Sequence, residues 1–140
     1  MNGIKEELTR NWLIKAKRDL LSARQLAEGS VPLLDTAAYH CQQAAEKAIK
    51  AYLVYHDVRF EKTHDLDVLL SQAVEIDPVF SGCRDAGRVL TPLAVEFRYP
   101  GEFIEPEPEE YGEAFAAARR IYDFVAVHLP EECRVSSVEI

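Results

Sequence analysis

The 140-residue chain predicts an all-α fold, an antiparallel up-and-down bundle of about five helices, on three observations. Apolar residues recur at helical steps through most of its length. A long alanine-rich stretch from Asp35 to Leu53 carries two chemically different faces. Glycines and prolines fall between the periodic segments, and no apolar/polar alternation of the kind a half-buried strand needs is sustained anywhere. Helical segments joined by short connections pack as a bundle. A chain of this length, 48% apolar and 29% charged, can bury a core without metal or disulfide support. One domain over 1–140 is expected, with its core at about 8–129.

The first helix is predicted over about 8–28, where Trp12, Ala16, Leu20, Ala23 and Ala27 repeat at steps of four and three. Trp12 leads that stripe and reads as a core anchor, and Gly29 reads as a left-handed helix stop. Asp19 falls about 20° from Trp12 on a helical wheel, at the stripe's edge, so it needs a partner. The second helix is predicted over about 32–56. Ala37, Cys41, Ala44, Ala45, Ala48, Ile49 and Tyr52 share one side, while His40, Gln43, Lys47 and Lys50 cluster opposite within about 80°. Such a polar face is ordinarily solvated. After a connector at 57–62, Thr63 reads as the cap of a third helix over about 64–76, with Asp65 and Asp67 in its first turn. A fourth over about 79–97 carries Pro92, which predicts a kink or break, and Tyr99 before Pro100 ends it. The Glu-rich run with Pro106 and Pro108 reads as an extended, solvated loop. The last helix spans about 109–129 with Phe115, Ala118, Ile121, Tyr122 and Val125 inward, and Pro130 stops it.

Composition narrows the function classes. The three cysteines (Cys41, Cys83, Cys133) are widely spaced, which argues for reduced thiols in a cytoplasmic protein and against a disulfide framework or a zinc site. His40 and Cys41 are adjacent, point about 100° apart, and cannot chelate one metal from a helix. No metal or cofactor is expected: there is no P-loop, no Gly-x-Gly loop and no acyl-transfer signature. No apolar run reaches membrane-spanning length, and no signal peptide opens the chain. The net charge of −8 disfavours a generic nucleic-acid binder, yet it is uneven. Residues 1–62 carry ten Lys/Arg against eight Asp/Glu, leaving six against sixteen in 63–140. Contact with a polyanion should therefore use the first two helices.

Four short motifs stand in order along the chain: Trp12…Ala16-Lys-Arg-Asp19-Leu20…Ala23, then His40-Cys-Gln-Gln-Ala-Ala-Glu-Lys-Ala-Ile-Lys50, then Lys62-Thr-His-Asp-Leu66, then Arg98-Tyr-Pro100. Together they resemble the HEPN family (higher eukaryotes and prokaryotes nucleotide-binding), in its stand-alone prokaryotic form, over about residues 8–129. The resemblance implies a two-fold homodimer with a cleft between protomers. It also implies work beside a separate minimal nucleotidyltransferase in a toxin–antitoxin-like pair. Many members are metal-independent ribonucleases with an Arg, four to six residues, then a His. In such a pair a neutral His takes the 2′-hydroxyl proton of RNA, and the Arg stabilises the phosphorane. Arg98 occupies about the right place, but Phe103, Ile104 and Glu105 stand where the histidine would be. Arg59 and His64 have the bare spacing in the wrong part of the chain, where chance explains it.

What remains is a composite anion or nucleotide site drawn from His40, Gln43, Lys47, Lys62, His64, Arg98 and Tyr99, with Arg98 and His64 the catalytic candidates if the chain is an enzyme. Charge-assisted hydrogen bonds would hold a phosphate, and Tyr99 would stack on a base. In a simple up-and-down bundle Lys62, His64 and Arg98 meet at one end, and His40 lies about four turns away. Two groups are therefore expected rather than one pocket. For His64 the plainer alternative is a ring that pins the connector. The whole-chain alternative to a binding module or ribonuclease is a purely structural homodimer.

Overall fold

A computed structural model describes residues 3–94 and 105–135. Five α-helices follow one another: α1 (Gly3–Glu28), α2 (Leu34–Tyr55), α3 (Leu66–Ile76), α4 (Arg84–Leu90) and α5 (Pro108–Val127). Short 3-10 segments at Pro78–Cys83 and Thr91–Ala94 flank α4, and another follows at Glu131–Cys133. Among the described residues there is no strand, and no helix is long and apolar enough to cross a membrane. Pro92 acts as expected: regular α-helix stops at Leu90 and the chain tightens into a 3-10 turn through Pro92. As far as Ala94, the predicted fourth helix is thus one short α-helix between two 3-10 segments. The Arg98-Tyr99-Pro100 stop lies outside the described residues.

α2 is the central element and packs against α1, α3, α4 and α5. α1 and α2 form an antiparallel hairpin, closed by the Leu33 amide donating to the Leu26 carbonyl at 2.9 Å. Its alanines explain the close fit: Ala16 and Ala23 on α1, and Ala37, Ala44, Ala45 and Ala48 on α2, are all fully buried. Small side chains let helix axes approach toward the low end of the usual 8–10 Å. Because these alanines are buried inside the chain, they are not available to join two protomers.

Three local expectations need correction. Gly29 ends α1 without a positive φ; the left-handed residue is Asp57, at φ 59° just past α2, a conformation aspartate tolerates better than most. The cap of α3 is Asp65, whose side chain accepts from the Asp67 amide, while Thr63 Oγ1, two residues earlier, accepts from the Asp65 amide. The Glu-Pro run is not wholly solvated. Pro106 is buried, and Glu107 and Glu110 form a reciprocal capping box at the start of α5. Beyond α5 the chain stays docked through Cys133, which is buried, and the Arg10 guanidinium donates to the Glu132 carbonyl.

Trp12 is not the buried anchor the stripe suggested. The apolar side of α1 centres on Leu13, Ala16, Leu20 and Ala23, one position round, and Trp12 is half-buried at its edge. Its ring meets Phe60 edge-on at 5.6 Å, with the Lys50 ammonium 5.7 Å from its centroid. Truncating a fully buried aromatic costs about 3–5 kcal/mol. For Trp12→Ala we expect roughly half that, about 2 kcal/mol, in chemical denaturation. A loss as large as that of a core residue would contradict this placement.

Candidate functional site

The polar residues of α2 are organised by two buried carboxylates. Asp19, on α1, faces α2 with a side chain only 9% exposed. Its Oδ1 accepts from His40 Nδ1 at 2.8 Å and its Oδ2 from Lys47 Nζ at 2.6 Å. Glu46, on α2 itself, is 4% exposed. Its Oε2 accepts from Lys50 Nζ at 2.8 Å, and its Oε1 from His64 Nδ1 at 2.8 Å and Gln42 Nε2 at 3.0 Å. The same construction thus occurs twice, as a carboxylate beneath the surface bridging one lysine and one histidine. The face expected to be merely solvated is therefore an ion-paired seam.

An ionised carboxylate can only accept, so each Nδ1 carries the proton. Each Nε2 is then the nitrogen left to other partners. In its neutral form that nitrogen accepts a proton; protonated, it donates to an anion. The ammonium of each lysine also keeps donors beyond the one engaged by its carboxylate.

Glu46 feels opposing influences. Burial alone pushes its carboxyl pKa up, but hydrogen bonds from Lys50, Gln42 and His64, with the Lys50 charge, outweigh it. The net result holds Glu46 below its ordinary value of 4.5, ionised at neutral pH. Cys41, next to His40 in sequence, is the reverse case. Burial, and secondarily the Asp19 charge, push its thiol up to about 12. It stays protonated and is no nucleophile.

His64 reaches Glu46 because the connector between α2 and α3 runs back along α2. Gln42 Nε2 donates to the His64 carbonyl at 3.1 Å as well as to Glu46, so the connector is tied down at backbone and ring. α3 then starts beside the middle of α2, where the Leu66 amide donates to Thr91 Oγ1 at 3.1 Å. It ends near Tyr52, which packs on Phe80. This shortens the expected separation along the helix axis, while Glu46 points about 120° from His40 around α2, so the two clusters stay distinct. Glu46 lies only six residues, about 9 Å of helical rise, beyond His40. His64 therefore sits over the same turns of α2 that carry His40 and Lys47. Gln43 links the seam further, donating to Gln42 Oε1 at 2.7 Å.

The remaining predicted residues divide. Lys62 is exposed on the connector and makes no ion pair among the described residues. Arg98 and Tyr99 lie outside the described residues. The bare Arg59…His64 spacing does not make a pair: Arg59 is exposed and offers its carbonyl to Gln72, while the His64 ring bonds Glu46. The plainer reading of His64, a ring that pins the connector, describes its contacts.

Gln42 and Glu46 were missed by sequence reasoning, although a signal existed. Gln42 falls about 20° from Ile49 and Leu53 on the wheel, inside the apolar arc of α2. A polar residue there must be bonded, and both residues are buried. Among the described residues no three His, Cys, Asp or Glu side chains are grouped to hold a metal ion.

Comparison with known proteins bears on the same residues. A family model described as HEPN domain matches residues 9–131, which includes every member of both carboxylate clusters. Among solved structures, the chain is similar to the crystal structure of an archaeal HEPN homologue. The two share 25% identity with a TM-score of 0.67, over 86% of this chain and 96% of that one. No curated protein matches.

Proposed function

This chain belongs to the HEPN domain family, and on that footing we propose that it is an anion-binding interaction module that takes a nucleotide or RNA phosphate on the outer face of α2. One observation carries the reading: Asp19 and Glu46 each lie beneath the surface and hold a lysine and a histidine in place above them. Preformed donors bind an anion without the cost of ordering long side chains at the moment of binding. His40, Gln43, Lys47, Lys62 and His64 would supply the contacts; Arg98 and Tyr99 belong to the reading on sequence grounds. The excess of basic over acidic residues in 1–62 favours this face over the acidic remainder of the chain.

We read residues 1–140 as one HEPN unit acting as a cytoplasmic homodimer beside a separate minimal nucleotidyltransferase, in a toxin–antitoxin-like pair. The test is calorimetry with ATP and with a short single-stranded RNA, on the parent, Lys47→Ala and Arg98→Lys. Binding should raise thermal stability as well, by about 2.7 kcal/mol at a hundredfold excess over Kd. Loss of affinity in Lys47→Ala without loss of fold supports the site. Equal binding by parent and Lys47→Ala, or no binding by either, refutes it.

A second reading has its own observation. The Glu46–His64 bond orients an imidazole whose Nε2 has no hydrogen-bond partner among the described residues, on a side chain 67% exposed, as a general base for an RNA 2′-hydroxyl would be. A metal-independent ribonuclease using His64 should degrade RNA in excess chelator and lose that activity in His64→Ala. Degradation unchanged in His64→Ala would dismiss it.

A further inference from the structure

The most acidic stretch of the described chain borders a groove, about half apolar and half polar in its lining, on the side of α2 away from His40. Ala38 and His40 are two residues apart and so point about 200° apart around α2. Ala38, Val89, Leu93 and Pro106 form most of the groove's lining, with Glu110 and Glu113 along its α5 side. The groove's volume is about 250 Å³. That is below the roughly 300–1,000 Å³ of a typical small-molecule pocket, so it suits one or two aliphatic side chains rather than a whole ligand.

The apolar surface continues past the groove. Val89 is 42% exposed, and Leu33 and Val31 on the turn before α2 are 43% and 72% exposed. The Leu34 amide donates to Glu105 Oε1 at 3.3 Å, placing that turn beside the same rim. Charge is one-sided here. Residues 105–113 hold five glutamates and no Lys or Arg. Glu113 makes no ion pair among the described residues, and Arg88, next to Val89, is already bonded to Asp85 at 2.8 Å.

We infer that this groove docks a basic segment of a partner polypeptide, one that inserts an aliphatic side chain between α4 and α5 and sets Lys or Arg against Glu110 and Glu113. Charge complementarity selects the occupant. A two-fold contact with a second copy would place one Glu-rich rim against the other, and like charges repel. Glu110 and Glu113 are one turn apart on α5, a spacing that two cations one turn apart on a helical partner can match. The inference does not depend on the anion site, whose His40 and Lys47 point about 160–180° from Ala38 around α2.

The test uses the full chain and a labelled 18-residue amphipathic Leu/Lys helical peptide, followed by fluorescence anisotropy. A Leu/Glu peptide and a Lys/Ser peptide serve as comparisons. The parent should bind Leu/Lys only. Val89→Asp and Glu113→Lys, both on exposed positions, should each weaken binding by about fivefold or more, the scale of one surface ion pair or a lost apolar anchor. Glu75→Lys, with the same charge change on α3, should weaken it less than twofold. The inference is overturned if Leu/Lys does not bind, if Lys/Ser binds equally well, or if Glu75→Lys weakens binding as much as Glu113→Lys. It is also overturned if Val89→Asp turns a dimer into a monomer by sedimentation, since a second copy would then fill the groove.

Discussion

Phe80→Ala is expected to cost about 3–5 kcal/mol of stability, the range for removing a fully enclosed aromatic ring. Phe80 is 0% exposed and sits in the 3-10 segment before α4, where it joins three elements. Its ring centroid lies 4.3 Å from Tyr52 on α2, and 5.0 Å and 5.5 Å from Phe124 and His128 at the end of α5. Truncation would leave a cavity that neither α2 nor α5 can close without sliding against the other. For a chain of this size the loss corresponds to roughly 10–15 °C in Tm. Phe80→Leu keeps most of the volume and should cost under about 1.5 kcal/mol. Urea titrations check both, and a lower midpoint with unchanged slope would show a loss of stability without a change in the surface exposed on unfolding. A loss below 1 kcal/mol for Phe80→Ala would mean the ring is not the keystone of that end.

Phe80 also shows what could and could not be read from the chain. The helical periods of α1, α2 and α5 are long enough for the apolar face to declare itself, and the all-α bundle follows from them. The 3-10 segment around Phe80 has no such period. Six residues that bury one aromatic and one cysteine look like any helix start, so the sequence extends the fourth helix through them. Trp12 misled for a related reason. A wheel locates a stripe to within about one residue, and a large aromatic at its edge can sit half out and cover the seam instead.

The candidate site was legible by composition but not by geometry. His40, Gln43, Lys47 and His64 could be singled out because polar residues grouped on one helix face and in one connector. That Asp19 needed a partner was evident from its place at an apolar edge, and His40 with Lys47 supply it. The path of the connector was not legible. A ten-residue segment, 56–65, can leave the end of α2 in any direction, and the bonds of His64 to Gln42 and Glu46, with Phe60 packed on Trp12, fold it back along the helix. Those two residues looked like ordinary helix formers in an alanine-rich run, and their burial depends on what the connector brings.

Glu46→Ala is expected to be the most disruptive change in the site, at about 3–5 kcal/mol, because it strands the Lys50 ammonium, only 13% exposed, without its counter-charge. It also frees the connector, which loses its bond to the His64 ring. Glu46→Gln should cost less, since its oxygen can still accept from Gln42 and His64. If the ion pair is the source, removing both charges should be milder than removing one. Glu46→Leu combined with Lys50→Met is therefore expected to lie within about 2 kcal/mol of the parent. Acid supplies an independent check. Glu46 is held below its ordinary value of 4.5 in the folded state, so around that pH the unfolded chain binds more protons than the native one. The stabilisation from Glu46 is then complete above about pH 5 and is lost as pH falls through the folded value. The stability gap between the parent and Glu46→Gln should accordingly be widest near neutrality and close in acid, a difference that cancels the titration of the other carboxylates. A gap that stays constant from pH 7 to pH 3 would show that Glu46 acts by shape alone, and that its charge does not hold Lys50 and His64 in place.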